Sequence, residues 1–165
     1  MSEPALEIAQ DSVSTDGHFL LLWVPYAEGT DPTKLETLAS AERITYSLTP
    51  SGFNRTITEE TVNDERLTLA QVLQKAGRVT NDLEVQYVFG SEDDVAAKIF
   101  VRGAKGWLVA RYAIPNEEPL AASQKADVIR IEAGIPRKDA PTTNGVWTKT
   151  QKLFVRDVRD DVALA

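Results

Sequence analysis

A mainly β, antiparallel sandwich or barrel of about seven to eight strands, with a short flanking helix and long arms or loops, is the fold class this chain predicts. Three observations predict it. Apolar and polar residues alternate with period two in segments separated by glycine- and proline-bearing stretches. One stretch, 69–76, carries the clearest helical period. With 165 residues, 42% hydrophobic and 26% charged, the chain suits a single domain, 1–165, that buries about 70% of its unfolded surface.

Taken in order, residues 1–17 are polar and read as an extended arm. His18 to Val24 is almost wholly apolar, a buried strand ended by Pro25. Residues 25–41, with Gly29 and Asp31-Pro32, read as a long loop containing one helical turn through Leu35 and Leu38. Glu42 to Thr49 reads as a half-buried strand, Ile44, Tyr46 and Leu48 alternating with Thr45, Ser47 and Thr49. Thr49-Pro50-Ser51-Gly52 suits a type I turn, and Phe53 to Glu60 a returning strand anchored by Ile57. An acid-rich connector, 59–66, then leads into the helix. Thr68 and Gln71 stand as a capping box, and Leu67 is placed to staple onto Val72. Leu69, Val72, Leu73 and Ala76 fall at i, i+3, i+4 and i+7, a core face two turns long. Lys75 and Gly77 suit its C-terminal end.

Beyond it, Leu83, Val85, Tyr87 and Phe89 alternate with Glu84, Gln86 and Val88 as a further strand closed by Gly90. Ser91 can cap a short helix with Val95, Ala96, Ile99 and Phe100 on its buried face; a strand through 99–101 is the alternative. Gly103 and Gly106 bracket a turn, Trp107 to Ile114 is a strand, and 115–125 is a loop with two prolines. Asp127 to Ala133 alternates again. Residues 134–146 form another long loop, Trp147 to Asp157 a strand, and the tail through Val162 a last short one.

Four connections, 1–17, 25–41, 115–125 and 134–146, are long for one domain. They hold few large apolar residues and many turn formers. A monomer would leave them mobile, whereas an assembly that lays them on neighbouring subunits would order them. The edge strands need covering as well, and a neighbour supplies that by β-augmentation.

Chemistry-bearing constellations are missing. His18 is the sole histidine and there is no cysteine, so neither a catalytic triad nor a zinc site can be completed. The neighbouring carboxylates Glu59-Glu60, Asp64-Glu65, Asp93-Asp94, Glu117-Glu118 and Asp160-Asp161 read as solvated surface rather than a glycosidase pair or calcium loop. Gly103-Ala104-Lys105-Gly106 lacks the spacing of a phosphate loop. Asn54-Arg55-Thr56 matches a glycosylation acceptor, but no secretory signal accompanies it. Trp23, Trp107 and Trp147 each sit in an apolar strand and read as core. The apolar run Phe19–Val24 is far below the ~20 residues of a membrane helix. A net charge of −7, with 25 acids against 18 bases, argues against wrapping nucleic acid by phosphate neutralisation. No cofactor, metal or catalytic residue is expected, and no enzyme.

The run TPSGFN…TITEETVNDERLTLAQVLQKAG, followed in order by DLEVQYVFG, GAKGWLVARYA, ADVIRIEAGIPRKDAPTTNG and TKTQKLFVRDV, resembles the major tail tube proteins of long, non-contractile-tailed bacteriophages. The resemblance covers roughly residues 42–160. It implies two packed antiparallel sheets with a helix alongside, and self-assembly into stacked, six-fold rings that form a conduit for DNA ejection. The partners implied are the chain itself and tail terminator, tail tip and tape-measure proteins, in a virion tail assembled in the host bacterial cytoplasm. Genomic DNA would pass through the lumen without specific binding. A duplex carrying one negative charge per ~1.7 Å is kept off a negative wall. The polar strand faces with Glu84, Gln86, Arg130 and Glu132 are the candidate lumen lining, with an outer solvated face as the alternative. Two other readings stand beside this one. A monomeric β-sandwich binding module, for carbohydrate, would expose an aromatic patch, and a tail completion or head–tail joining protein would form a single ring.

Overall fold

The computed structural model describes residues 3–165; the first two residues of the expected 1–17 arm lie outside the described residues. The elements are β1 (Phe19–Pro25), α1 (Leu35–Leu38), β2 (Glu42–Arg43), a 3-10 turn (Thr45–Ser47), β3 (Leu48–Asp64), β4 (Leu73–Val88), α2 (Ala96–Ile99), β5 (Lys105–Tyr112), β6 (Lys125–Ala133), β7 (Arg137–Lys138) and β8 (Thr148–Ala163). All eight strands join one antiparallel sheet in the order β2-β1-β5-β6-β8-β4-β3, with β7 beside β8. The sheet is open between β2 and β3, so no closed barrel forms.

The sheet curls strongly. Residues of β1, four strands from β4 in the sheet order, share a core with β4: Leu21 and Trp23 pack with Val85 and Tyr87, and Phe100 next to α2 lies between the rings of Trp23 and Tyr87 at 5.5 and 5.8 Å. Leu108, Ala110, Ile129, Ile131 and Leu153 fill the same inner face. Each such aliphatic side chain contributes about 1.5–3 kcal/mol by leaving water. Part of the outer face is also buried. Leu20, Leu22, Val24, Trp107, Val109 and Val128 are covered there by Leu38 of α1, Leu120 and Leu164. Burial on both faces explains why Leu20 to Val24 is continuously apolar rather than alternating.

The connections are better held than their composition suggests. The 25–41 loop is pinned by the chain's end, with Leu35 N donating to Ala165 O and Ala165 N to Thr33 O. The 115–125 loop wraps the buried guanidinium of Arg111, which donates to Gln124 Oε1, Pro115 O and Glu118 O at 3.1, 2.9 and 3.0 Å. The 134–146 loop contains β7 and is fastened through Asp139. In these three connections, polar anchors within the subunit stand where large apolar residues are missing.

Five expected elements differ, the first being the connector 59–66, of which 59–64 continue β3 as a paired strand. The 69–76 helix does not form: residues 65–72 are a turn, and 73–76 open β4, paired with Asp64, Asn63, Val62 and Thr61. Leu69, Val72, Leu73 and Ala76 are all exposed. Two helical turns are marginal alone, and the β-branched partner run Thr56-Ile57-Thr58…Thr61-Val62 favours an extended pairing. Thr68, the expected cap, has φ 60° and sits in the turn. The 42–49 strand is interrupted: Glu42–Arg43 forms β2, Thr45–Ser47 a 3-10 turn, and Leu48 and Thr49 open β3. The Thr45 hydroxyl accepts from Leu21 N at 2.8 Å, and the chain turns so that Ile44 is buried while Tyr46 is 80% exposed. Thr49 to Gly52 is an irregularity within β3 rather than a hairpin turn, and Gly52 lies so near the Gln86 carbonyl that a Cβ would overlap it. The expected last short strand is continuous with the one before it, as β8.

Candidate assembly surfaces

The β3–β4 hairpin is the largest unsupported feature. β4 pairs with β8 only from Leu83 to Val88; beyond Leu83 it has β3 alone. From Thr56 to Asp82 no residue is buried. Ile57, Val62, Leu67, Leu69, Val72, Leu73 and Val79 are nonetheless large, apolar and exposed. A two-stranded ribbon is marginal in water, and one that displays this much apolar surface is suited to being covered. β3 is also a sheet edge along its whole length, offering backbone groups for pairing.

The candidate lumen residues fall on one face. Leu83, Val85, Ile129, Ile131 and Leu153 point inward, so Glu84 and Gln86 of β4 and Arg130 and Glu132 of β6 point outward, with Lys152, Phe154 and Arg156 of β8 between them. Their environments differ. Glu84 is exposed and opposite Lys152. Glu132 accepts from Arg156 at 2.6 Å, a hydrogen bond that holds its carboxyl below the usual range. Arg130 stacks over Tyr26 and Trp107, 4.5 and 5.9 Å from their ring centres. Gln86 is committed on both ends: its Oε1 accepts from Thr49 Oγ1 at 2.7 Å, and its Nε2 donates to Asp139 at 3.1 Å. Acids and bases alternate across this panel rather than forming a negative field.

Three anchors escaped the sequence reading. Arg111 organises the 115–125 loop. Asp139 accepts from Gln86 and from Thr148 and Thr150 hydroxyls, both at 2.8 Å, and these bonds, that from Gln86 foremost, lower its carboxyl below the ordinary value. Arg55, met first as the middle of a glycosylation-like triplet, joins two carboxylates across the inner face. An arginine within an apolar strand (Arg111) and a lone aspartate before hydroxyl-bearing residues (Asp139) were the available signals. Trp147, expected in the core, is 55% exposed beside the 134–146 loop, because its strand begins one residue later; Trp23 and Trp107 are buried. His18, through Nδ1, bonds Asp16 O at 2.7 Å in the turn before β1.

A family model described as "Phage tail tube protein" matches residues 8–165. Among solved structures, a chain of the "Cryo-EM structure of the anti-feeding prophage (AFP) baseplate, 6-fold symmetrised" is similar with a TM-score of 0.57 and 14% identity, covering 96% of each chain. At that identity the likeness is one of fold. No curated protein matches the chain.

Proposed function

The chain belongs to the phage tail tube protein family, and from that premise we propose that it builds the tube by stacking rings of itself around a lumen through which the genome leaves. The family is structural, not enzymatic, and its place is the virion tail. The observation that carries the ring-and-stack reading is the β3–β4 hairpin, exposed from Thr56 to Asp82 yet rich in large apolar residues. A neighbouring copy that covers it removes apolar surface from water and supplies the ordering that the ribbon lacks alone. A head-to-tail contact whose rotation closes makes a ring, and rings related by a further such contact make a tube. Six-fold symmetry is the count that the tail tube resemblance implies. The long non-contractile tail, and the terminator, tip and tape-measure proteins as neighbours, belong to the same proposal.

The outward panel bearing Glu84, Gln86, Arg130 and Glu132 faces the lumen in this proposal. Its bases stand beside carboxylates or rings, Arg156 at Glu132 and Arg130 over Tyr26 and Trp107, and this dispersal keeps them from forming one basic cluster for DNA phosphates. Glu84 is the member freest to meet the DNA, while Arg130 is held by its aromatic neighbours. Glu84→Lys in a phage should slow genome ejection while tubes stay intact; unchanged ejection would remove this face from the lumen. The assembly itself is tested by negative-stain microscopy of the purified chain over a concentration series, with and without tail-tip components. Uniform hollow tubes support the proposal. Single rings that never stack would favour a joining protein, and a persistent monomer that ignores tip components would end it.

A further inference from the structure

The hairpin branches away from the sheet at Leu83, the last residue of β4 paired with β8. Its outer face there has one weak tie, Lys152 to Asp82 at 3.9 Å, with both side chains more than half exposed, and such pairs are worth little. The inner face is different. Arg55, on β3 opposite Leu83, skips β4 and reaches β8 and β6. Its guanidinium donates to both oxygens of Asp160, Nη1 to Oδ1 at 2.8 Å and Nη2 to Oδ2 at 3.2 Å, and Nη1 also meets Asp127 Oδ2 at 3.4 Å. The Arg55 and Asp127 side chains are each only 14% exposed. Asp127 has a second task, its Oδ1 accepting from Asp161 N at 3.0 Å where the chain takes φ 52° at Asp161. Beside this triad, Phe53 packs on Phe19 of β1, and Phe19 on Tyr112 of β5, with centres 5.7 and 5.3 Å apart.

We propose that Arg55, gripped by Asp160 and Asp127, is the positioning residue that sets the direction in which the β3–β4 hairpin leaves the subunit, and thereby the angle at which one copy meets the next. The geometry favours this role over general stabilisation. A planar fork bonded to both oxygens of one carboxylate fixes orientation as well as distance, and a half-buried ion group is better suited to specifying one arrangement than to adding stability. The backbone bonds of the ribbon fix β3 on β4, but on the outer face beyond Leu83 the described residues add only the weak Lys152–Asp82 tie to hold the pair on the sheet. The consequence for assembly rests on the proposed function; the consequence for the subunit does not.

The test therefore reads the subunit first. The chain has no cysteine, so Thr58→Cys on the hairpin and Glu36→Cys on α1 accept spin labels without background. Dipolar distance measurement on the dispersed subunit should give one narrow distribution. Arg55→Met should broaden and shift it by more than its original width, with an unchanged circular dichroism spectrum; Asp160→Asn, at a half-exposed position, is the milder second variant should the first fail to fold. Arg66→Met, which removes only the exposed contact with Asp64 near the hairpin tip, should leave the distribution as it was. A narrow, unshifted distribution in folded Arg55→Met or Asp160→Asn, or a broad one in the unmodified chain, overturns the proposal. In assembly assays the same variants should lose straight tubes. If the unmodified chain forms none while the distances respond as expected, the proposed function fails and the role of Arg55 stands.

Discussion

β1 and the β3–β4 hairpin are built from the same bonds and are held by different things. Leu20 to Val24 are buried one after another, packed inward by α2 and outward by α1 and the chain's end. Between Thr56 and Asp82 the ladder is longer and nothing is buried. Backbone pairing is thus not what separates a stable strand from a marginal one here; covered apolar area is. The difference teaches where the subunit covers its own apolar residues and where it leaves them to solvent.

The comparison is broken most forcefully from the β1 side. Leu21→Ala, in β1 and the inner core, should cost about 2–5 kcal/mol, whereas Ile57→Ala on the hairpin should change subunit stability by no more than about 0.5 kcal/mol; paired denaturant titrations measure both. A large loss at Ile57 in the dispersed subunit would mean that the hairpin is already packed. Arg111→Met comes next. It leaves the Glu118 carbonyl without its donor and takes one of two bonds from each of Gln124 Oε1 and Pro115 O, which keep Ala121 N and Glu118 N; this should cost about 1–3 kcal/mol and make the 115–125 loop open to proteolysis.

Two smaller effects are read through pH. Burial pushes the Tyr87 hydroxyl up to about 12, while its unfolded value is about 10. The neutral form is the one favoured in the fold, so stability holds below pH 10 and falls as pH rises from there towards 12. Tyr87→Phe should flatten that alkaline decline, at the expense of the 2.9 Å bond to Gln151. Asp139 acts in the opposite direction. Its carboxyl is lowered in the fold, so its contribution is present above the unfolded value of about 3.9 and is lost as pH falls through the lower folded value. Hydrogen exchange below about pH 4 should show the 134–146 loop loosening before β1, and Asp139→Asn should remove that acid step.

The parts legible in the sequence were those whose own residues carry the burial pattern. Leu83-Val85-Tyr87, the β5 run from Trp107 and the apolar β1 declared themselves because each packs a face that its neighbours in sequence reveal. The 69–76 segment misled because its local signals, a capping box and an i, i+3, i+4, i+7 face, are helical while its partner strand lies several residues upstream. Leu69, Val72, Leu73 and Ala76 are apolar for a surface, not for this core. Such conflicts between local preference and final structure concentrate at functional segments. The outward panel was half legible. Alternation placed Glu84, Gln86, Arg130 and Glu132 on polar faces, but not the intervening Lys152 and Arg156 that stand beside the two glutamates, since strand order is a non-local fact. Arg55, Arg111 and Asp139 were invisible as anchors for the same reason: each is defined by partners on distant strands or on loops whose course sequence does not give.

Hydrogen exchange of the Glu59–Val79 amides, followed in the dispersed subunit and in the assembled state, tests the central claim most directly. Fast exchange in the subunit, far above that of β1 and β5, and slow exchange after assembly is the result this account predicts. Amides already as protected as those of β1 in the subunit, or still fast in assembled tubes, would contradict it.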